Sequence, residues 1–191
     1  MFFVISGYVI TQSLVTRPDG SFFAFLGDFY ARRVKRLIPA LAACVLVTAV
    51  VGAVFMHPSD EFGASMSAGF YALFGLSNIH FYSQSTDYFG AAAPLNLFTH
   101  TWSLGVEEQF YLVFPTLLWL TVLMGAPERF HYGRYLAALS VLVAASLLAY
   151  IGRIGDDPNA AYFLSPYRFW ELGLGCLLCP LMGRLAALPA W

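Results

Sequence analysis

Charged residues along this chain are spaced so that long apolar runs separate them. No Asp, Glu, Lys or Arg interrupts Leu37 to Met56, Phe62 to Tyr82, Gln109 to Pro127 or Tyr135 to Gly152. At about 1.5 Å per residue, a helix of about 20 apolar residues crosses about 30 Å of hydrocarbon. Met1 to Thr16 is a further uncharged run, although Ser65, Ser67, Ser77, Asn78 and His80 dilute the one from Phe62. Leu172 to Gly183 is shorter and needs Phe163, Leu164, Phe169 and Trp170 to complete a span. The pattern predicts six membrane helices, over about 1–16, 37–56, 62–82, 104–125, 134–152 and 163–183. A soluble core accommodates one such run, not this many. The expected fold class is therefore all-α, a polytopic transmembrane helical bundle that fills residues 1–191 without a separate soluble domain.

Prolines, glycines and aromatics refine the expected elements. Pro39 falls in the first turn of the second predicted helix, where its missing N–H is harmless. Pro115 lies inside the fourth and is expected to kink it or to mark a break lined by protein. Residues 17–30 are expected to join the first two helices, with Phe22, Phe23, Phe25 and Leu26 lying in the membrane interface. Gly173 and Gly175 allow another helix to come close. Trp102, Tyr111, Trp119, Tyr167 and Trp170 read by default as interface anchors.

Composition agrees with the pattern. Only 11% of the 191 residues are charged and 59% are hydrophobic, against roughly 25% charged in soluble domains. The net charge of −1 excludes a broad basic face for nucleic acid. Cys44, Cys176 and Cys179 sit in apolar segments and are expected to serve ordinary packing. His57, His80, His100 and His131 lack metal-ligand spacing, so neither a metal nor a bound cofactor is implied. Arg17, Arg32, Arg33, Lys35 and Arg36, half of the 10 Lys and Arg, precede the second predicted helix and place that connection on the cytoplasmic side. The side of residues 83–100 stays open.

Three clusters carry candidate chemistry. In the stretch His100 to Pro115, HTWSLGVEEQFYLVFP, two adjacent carboxylates stand at the start of an apolar helix, where facing lipid is costly. Ser103, Glu107 and Tyr111 recur every four residues and share one polar stripe, with His100 one turn earlier, while Glu108 projects about 100° away toward a different helix. The alternative is that Ser103 caps the helix and the acids complement its dipole. In Tyr30 to Pro39, Arg33 and Arg36 share a helical face and suit the phosphates of a coenzyme A, although a basic cluster before a span also simply sets topology. Arg168 and Glu171, three apart, suit an intramembrane pair whose role is structural or catalytic.

These clusters, in this order, resemble the membrane-bound acyltransferase-3 family. The resembling stretches are FFVISGYVIT at 2–11, FYARRVKRLIPA at 29–40, LNLFTHTWSLGVEEQFYLVFP at 95–115 and PYRFWELGLG at 166–175. The first and last look most like the subgroup that often carries an SGNH hydrolase-like domain after the membrane part. The resemblance implies a multi-pass enzyme of the bacterial plasma membrane. Such an enzyme moves an acyl group, commonly acetyl, from a cytoplasmic acyl-CoA donor to hydroxyls of a lipopolysaccharide, peptidoglycan or exopolysaccharide acceptor. It implies donor binding at Arg33 and Arg36. The family pattern begins with a helix that carries a catalytic histidine ahead of the residues matching Phe2, and comprises about ten helices. Met1 is accordingly expected to be an internal or misassigned start, and the chain to be inactive by itself.

Acyl transfer to a hydroxyl needs a base and stabilisation of an oxyanion. Glu107, Glu108 and His100 are the catalytic candidates, with Ser103, Tyr111, Arg168 and Glu171 in support. The expected partners are the lipid bilayer, an acyl-CoA and a glycan acceptor. Rival readings are a transporter or flippase for a glycan or acyl donor, and an inactive remnant.

Overall fold

The computed structural model describes residues 1–15, 21–55, 60–84, 96–123 and 132–186. Among them the regular elements are all helical. Helices α1 (Phe2–Val15), α2 (Phe22–Phe55), α3 (Asp60–Leu73), α4 (Ser77–Gln84) and α5 (Thr101–Leu118) come first. A π-helical turn, Trp119–Leu123, follows α5, and then α6 (Tyr132–Ile154), α7 (Pro158–Phe163), a 3₁₀ turn (Ser165–Tyr167) and α8 (Phe169–Ala186). Phe22–Phe55 and Gly133–Ile154 are long and apolar enough to cross a membrane, and Phe2–Leu14 and Phe169–Met182 are shorter apolar helices. Leu46, Val47, Val50, Val54 and Phe55 of α2, and Val141, Leu148 and Ile151 of α6, are exposed. A surface of that kind suits hydrocarbon as its solvent. The fold is an all-α transmembrane helical bundle.

Three expected helices change their bounds. Helix α2 starts at Phe22 rather than 37, so the described part of the expected interfacial connection is helix, and Pro39 sits inside α2 rather than in its first turn. The reason is periodic. Phe25, Phe29, Arg33, Leu37 and Leu41 recur every four residues on one face, with Phe25, Phe29 and Leu41 buried. Arg and Lys are good helix formers, so the basic cluster does not stop the helix. The expected helix 62–82 is instead two, broken at Gly75, whose φ of +67° is left-handed. Nearer the carboxyl terminus, the expected helix 163–183 begins as α8 only at Phe169, with Ser165-Pro-Tyr167 forming the 3₁₀ turn ahead of it.

Helix α5 runs straight through Pro115. A proline at that position leaves the carbonyl of Tyr111 without its helical donor. The hydroxyl of Tyr30, on α2, donates to that carbonyl at 3.1 Å and to Leu112 O at 3.3 Å. The helix therefore continues, and the irregular backbone appears one turn later as the π-helical turn. Its N-terminus is set by Asn96, whose Oδ1 accepts from the Phe98 amide at 2.9 Å, an Asx turn that leads the chain into the helix.

Close helix packing relies on glycine. A Cβ on Gly7 would collide with Leu172 O, and one on Gly175 with Val4 O, so α1 and α8 cross backbone against backbone. Gly173 makes room for side chains of α6, where a Cβ would come 2.5 Å from Val143 Cγ2. The expectation for Gly173 and Gly175 holds, and Gly7 is its counterpart on the opposing helix. Cys176 is buried at this crossing and Cys179 is partly buried, but Cys44 is exposed, so the packing expectation fails for it.

Candidate functional site

Helix α5 carries the site because its two faces meet different neighbours. On one, Glu107 (4% exposed) and Tyr111 (3%) lie one turn apart, and the Tyr111 hydroxyl donates to Glu107 Oε2 at 3.5 Å. The Ser6 hydroxyl of α1 hydrogen-bonds the Tyr111 hydroxyl. The Arg33 guanidinium stacks on the Tyr111 ring, 3.4 Å from its centroid. Stacking of this kind suits arginine, whose planar, weakly hydrated cation gains from an aromatic face. Arg33 also acts electrostatically on both Glu107 and Glu108. Glu107 Oε1 and Arg33 Nε are buried without a hydrogen-bond partner among the described residues. Both groups keep unused hydrogen-bonding capacity, and Arg33 keeps it in the wall of a cavity.

Glu108 turns toward the α3–α4 break, as its 100° offset requires. It packs against Gly75, where any Cβ would strike its carboxylate. Gln109 secures that break from the other side: its Nε2 donates to Gly75 O at 3.0 Å and to Asn78 Oδ1 at 2.9 Å, and its Oε1 accepts from the Ser165 hydroxyl. Asn78 Nδ2 in turn donates to Phe163 O at 3.0 Å and to Ser165 Oγ at 3.1 Å. This network joins α4, α5 and the α7–α8 connection through satisfied buried amides, which rigidify a core. Between α2, the Gly75 turn and α5 lies a cavity of about 250 Å³, whose polar lining is Tyr30, Arg33, Glu108, Gln109 and Tyr111.

A second, open cavity of about 580 Å³ lies farther toward the N-terminal end of α5, lined in part by His100, Ser103, Trp102, Cys44 and Glu171. His100 is exposed, and it stands two turns, roughly 10 Å, from Glu107 along the helix. The expected stripe thus divides: Glu107 and Tyr111 belong with Arg33, while Ser103 and His100 face the second cavity. Ser103 is not a cap, because its hydroxyl donates back to His100 O at 3.2 Å, and the N-cap, His100, makes no side-chain cap bond. Arg36 is exposed and does not line the first cavity. It is Leu37, four residues from Arg33, that follows it into the wall.

Arg168 and Glu171 form the expected pair, 2.5 Å apart and both largely buried. Arg168 Nε donates to Tyr162 O at 3.1 Å, and its guanidinium lies 4.9 Å from the Tyr162 ring. Trp102 is not an interface anchor, since its ring packs inside the bundle 4.5 Å from Tyr162 and 5.9 Å from Phe3. Tyr111 is likewise internal. The anchor default misreads both because the cation that each ring covers, Arg168 or Arg33, lies far away in sequence. His57 and His131 lie outside the described residues, and no group of three metal-ligating side chains occurs among the described residues.

The acyltransferase-3 family, described as an acyltransferase domain, matches residues 1–187. The chain belongs to the acyltransferase-3 family. It is similar to O-acetyltransferase OatA of Staphylococcus aureus strains NCTC 8325 and COL, 34% identical over 180 residues in each case. That alignment covers 93% of this chain and 28% of OatA. A further Staphylococcus aureus protein, from strain COL and inferred by name to be an O-acetyltransferase, is 34% identical over 177 residues with the same coverage. The chain therefore spans little more than a quarter of the length of these relatives. No solved structure matches it. The Arg33–Tyr111 contact is thus a feature of an acyltransferase-3 domain.

Proposed function

We propose that this chain is part of a multi-pass cell-membrane O-acyltransferase that transfers acetyl from acetyl-CoA to hydroxyls of a cell-envelope glycan. The observation that carries the reading is the Arg33 guanidinium stacked on Tyr111, which hydrogen-bonds Glu107, in a cavity that Glu108 also lines. Arg33 is the donor-side cation: its unpaired Nε is free to donate to a carbonyl or phosphate oxygen. A donor placed there also supports charge that builds on the thioester oxygen as it is attacked. Glu107 orients and charge-balances the group that takes the acceptor proton, with Tyr111 and Ser6 fixing its carboxylate. Arg36, on the exposed face of α2, suits the outer phosphates of the coenzyme better than the thioester. The family's place among relatives named O-acetyltransferases supports acetyl as the group moved.

The test is transfer of labelled acetyl from acetyl-CoA to envelope glycan by membranes that contain the full-length protein. Wild type is expected to label the glycan, and Glu107→Gln at equal protein level to label it at least tenfold less. Glycan that stays unlabelled in wild type, while acetyl-CoA is consumed by nothing else, removes the enzyme reading.

A further inference from the structure

Several polar groups that line the cavity between α2, the Gly75 turn and α5 are already spent. Gln109 uses its amide on Gly75, Asn78 and Ser165. The Tyr111 hydroxyl is engaged with Ser6 and Glu107, and Tyr30 gives its proton to the carbonyls of Tyr111 and Leu112. What is left in the lining is Arg33 and Glu108. Arg33 keeps an unused N–H at Nε, and Glu108 takes part in none of the ion pairs among the described residues. The two lie within electrostatic range of each other, yet they are not joined. A guanidinium only donates, and a carboxyl group accepts through at least one oxygen in either protonation state. A group that spans them therefore offers an acceptor to Arg33 and a donor to Glu108. Between them the wall includes Gly75 and apolar side chains such as Val34, Leu37, Phe74 and Leu76. A sugar placed there would leave further hydroxyls unpaired against that wall, at a cost.

We infer that this cavity holds the cysteamine end of the acyl-CoA donor, with Arg33 on the thioester oxygen and Glu108 accepting the N–H of the adjacent amide. The inference rests on the enzyme reading above and makes Glu108 the specificity-determining residue of that same site. In the donor, one sulfur and two methylenes separate the thioester carbon from the amide nitrogen. A single short segment thus carries an acceptor, an apolar link and a donor, and these match Arg33, the apolar wall and Glu108 one for one. The two carboxylates then have separate tasks. Glu107, which does not line the cavity, serves the acceptor side, and Glu108 reads the donor.

The experiment gives membranes that contain the full-length protein two small acetyl thioesters that differ at one position. One is S-acetyl-N-acetylcysteamine, which carries the amide N–H, and the other has an ester oxygen in place of that N–H. The readout is the amide-to-ester ratio of kcat/KM, with acetyl-CoA run alongside. Wild type is expected to favour the amide about tenfold or more, because the ester sets a lone pair against Glu108 where a hydrogen bond should form. Glu108→Met, similar in length but without an acceptor oxygen, is expected to bring the ratio close to unity. Glu108→Gln keeps an acceptor oxygen and is expected to retain part of the preference. Glu107→Gln is expected to slow both thioesters alike and leave the ratio unchanged. The ratio is internal to each preparation, so a variant that folds only in part still reports it. Transfer from acetyl-CoA without an amide preference in wild type, or a preference that survives Glu108→Met, overturns the inference and leaves the enzyme reading standing. Transfer from none of the three thioesters removes both.

Discussion

The Tyr135 hydroxyl donates to the carbonyl of Cys176 at 3.0 Å, and that carbonyl is the one Pro180 leaves without a helical donor. Tyr30 does the same for Tyr111 and Pro115. In both helices a proline frees an acceptor in a setting with little water, and a tyrosine from another helix satisfies it. The two devices lock α6 to α8 and α2 to α5, and the second also sets Tyr30 and Arg33 against the functional cavity.

Tyr135→Phe therefore leaves a buried carbonyl unpaired, at a cost of about 1–3 kcal/mol. Pro180→Ala restores the missing N–H, so Tyr135→Phe is expected to cost less in that background. Unfolding of both single variants and the double variant in detergent measures the coupling. Equal costs in the two backgrounds would show that the tyrosine has another purpose.

Gly75→Ala faces two penalties. The left-handed backbone costs a non-glycine residue about 1–2 kcal/mol, and the new methyl meets the Glu108 side chain. The substitution is expected to lower both stability and acyl transfer. Gly133, with nothing within 4 Å of its would-be Cβ, is the control, and Gly133→Ala should leave melting within about 0.5 kcal/mol of wild type.

Gln109→Leu keeps the volume of the network residue but removes its three bonds, leaving Gly75 O and the amide of Asn78 less well satisfied. A loss of about 2–4 kcal/mol is expected, by analogy with other broken buried networks. Because Gln109 steadies the turn on which Glu108 packs, the residual folded protein should also show a raised KM for the acyl donor. Unchanged melting would mean that the network is dispensable.

Asp157 gives a pH-dependent contact in the α6–α7 turn. It caps α7, accepting from the Ala160 amide at 2.9 Å, and also takes the Tyr82 hydroxyl at 2.9 Å and Arg153 at 3.3 Å. The Ala160 bond first, then Tyr82 and Arg153, hold its carboxyl below the ordinary value of 3.8. Since the folded-state value is the lower one, its stabilisation is complete above that ordinary value and disappears as pH falls through the folded-state value. Wild type is expected to lose protection of the Ala160 amide against hydrogen exchange progressively as pH is taken below 3.8, after correction for intrinsic rates. Asp157→Asn should already lack part of that protection at neutral pH and show a flatter pH dependence.

Local pattern made much of this molecule legible. The apolar run ending at Gly152 is α6, and the four-residue spacing of Glu107 and Tyr111 places them together. So does the three-residue spacing of Arg168 and Glu171, while Gly173 and Gly175 mark a helix crossing. What stayed hidden depends on partners far along the chain. Nothing in the sequence near Tyr111 points to Ser6 or to Tyr30, and Gln109 reads as an unremarkable polar residue until Gly75, Asn78 and Ser165 surround it. The basic cluster misled in a specific way. A run of charge suggests the end of a helix, whereas Phe25 and Phe29 carry the buried face of α2 straight into Arg33.

Kinetic coupling between Arg33 and Glu107 tests most directly whether they act in one site. The quantity is kcat/KM for acetyl-CoA in the full-length protein for Arg33→Ala, Glu107→Gln and the double variant. Groups that act as a unit give strongly non-additive losses, so the double variant is predicted to be no worse than about threefold below the weaker single. Losses that multiply, or single variants as active as wild type, would contradict a shared site built on the Arg33–Tyr111–Glu107 contact.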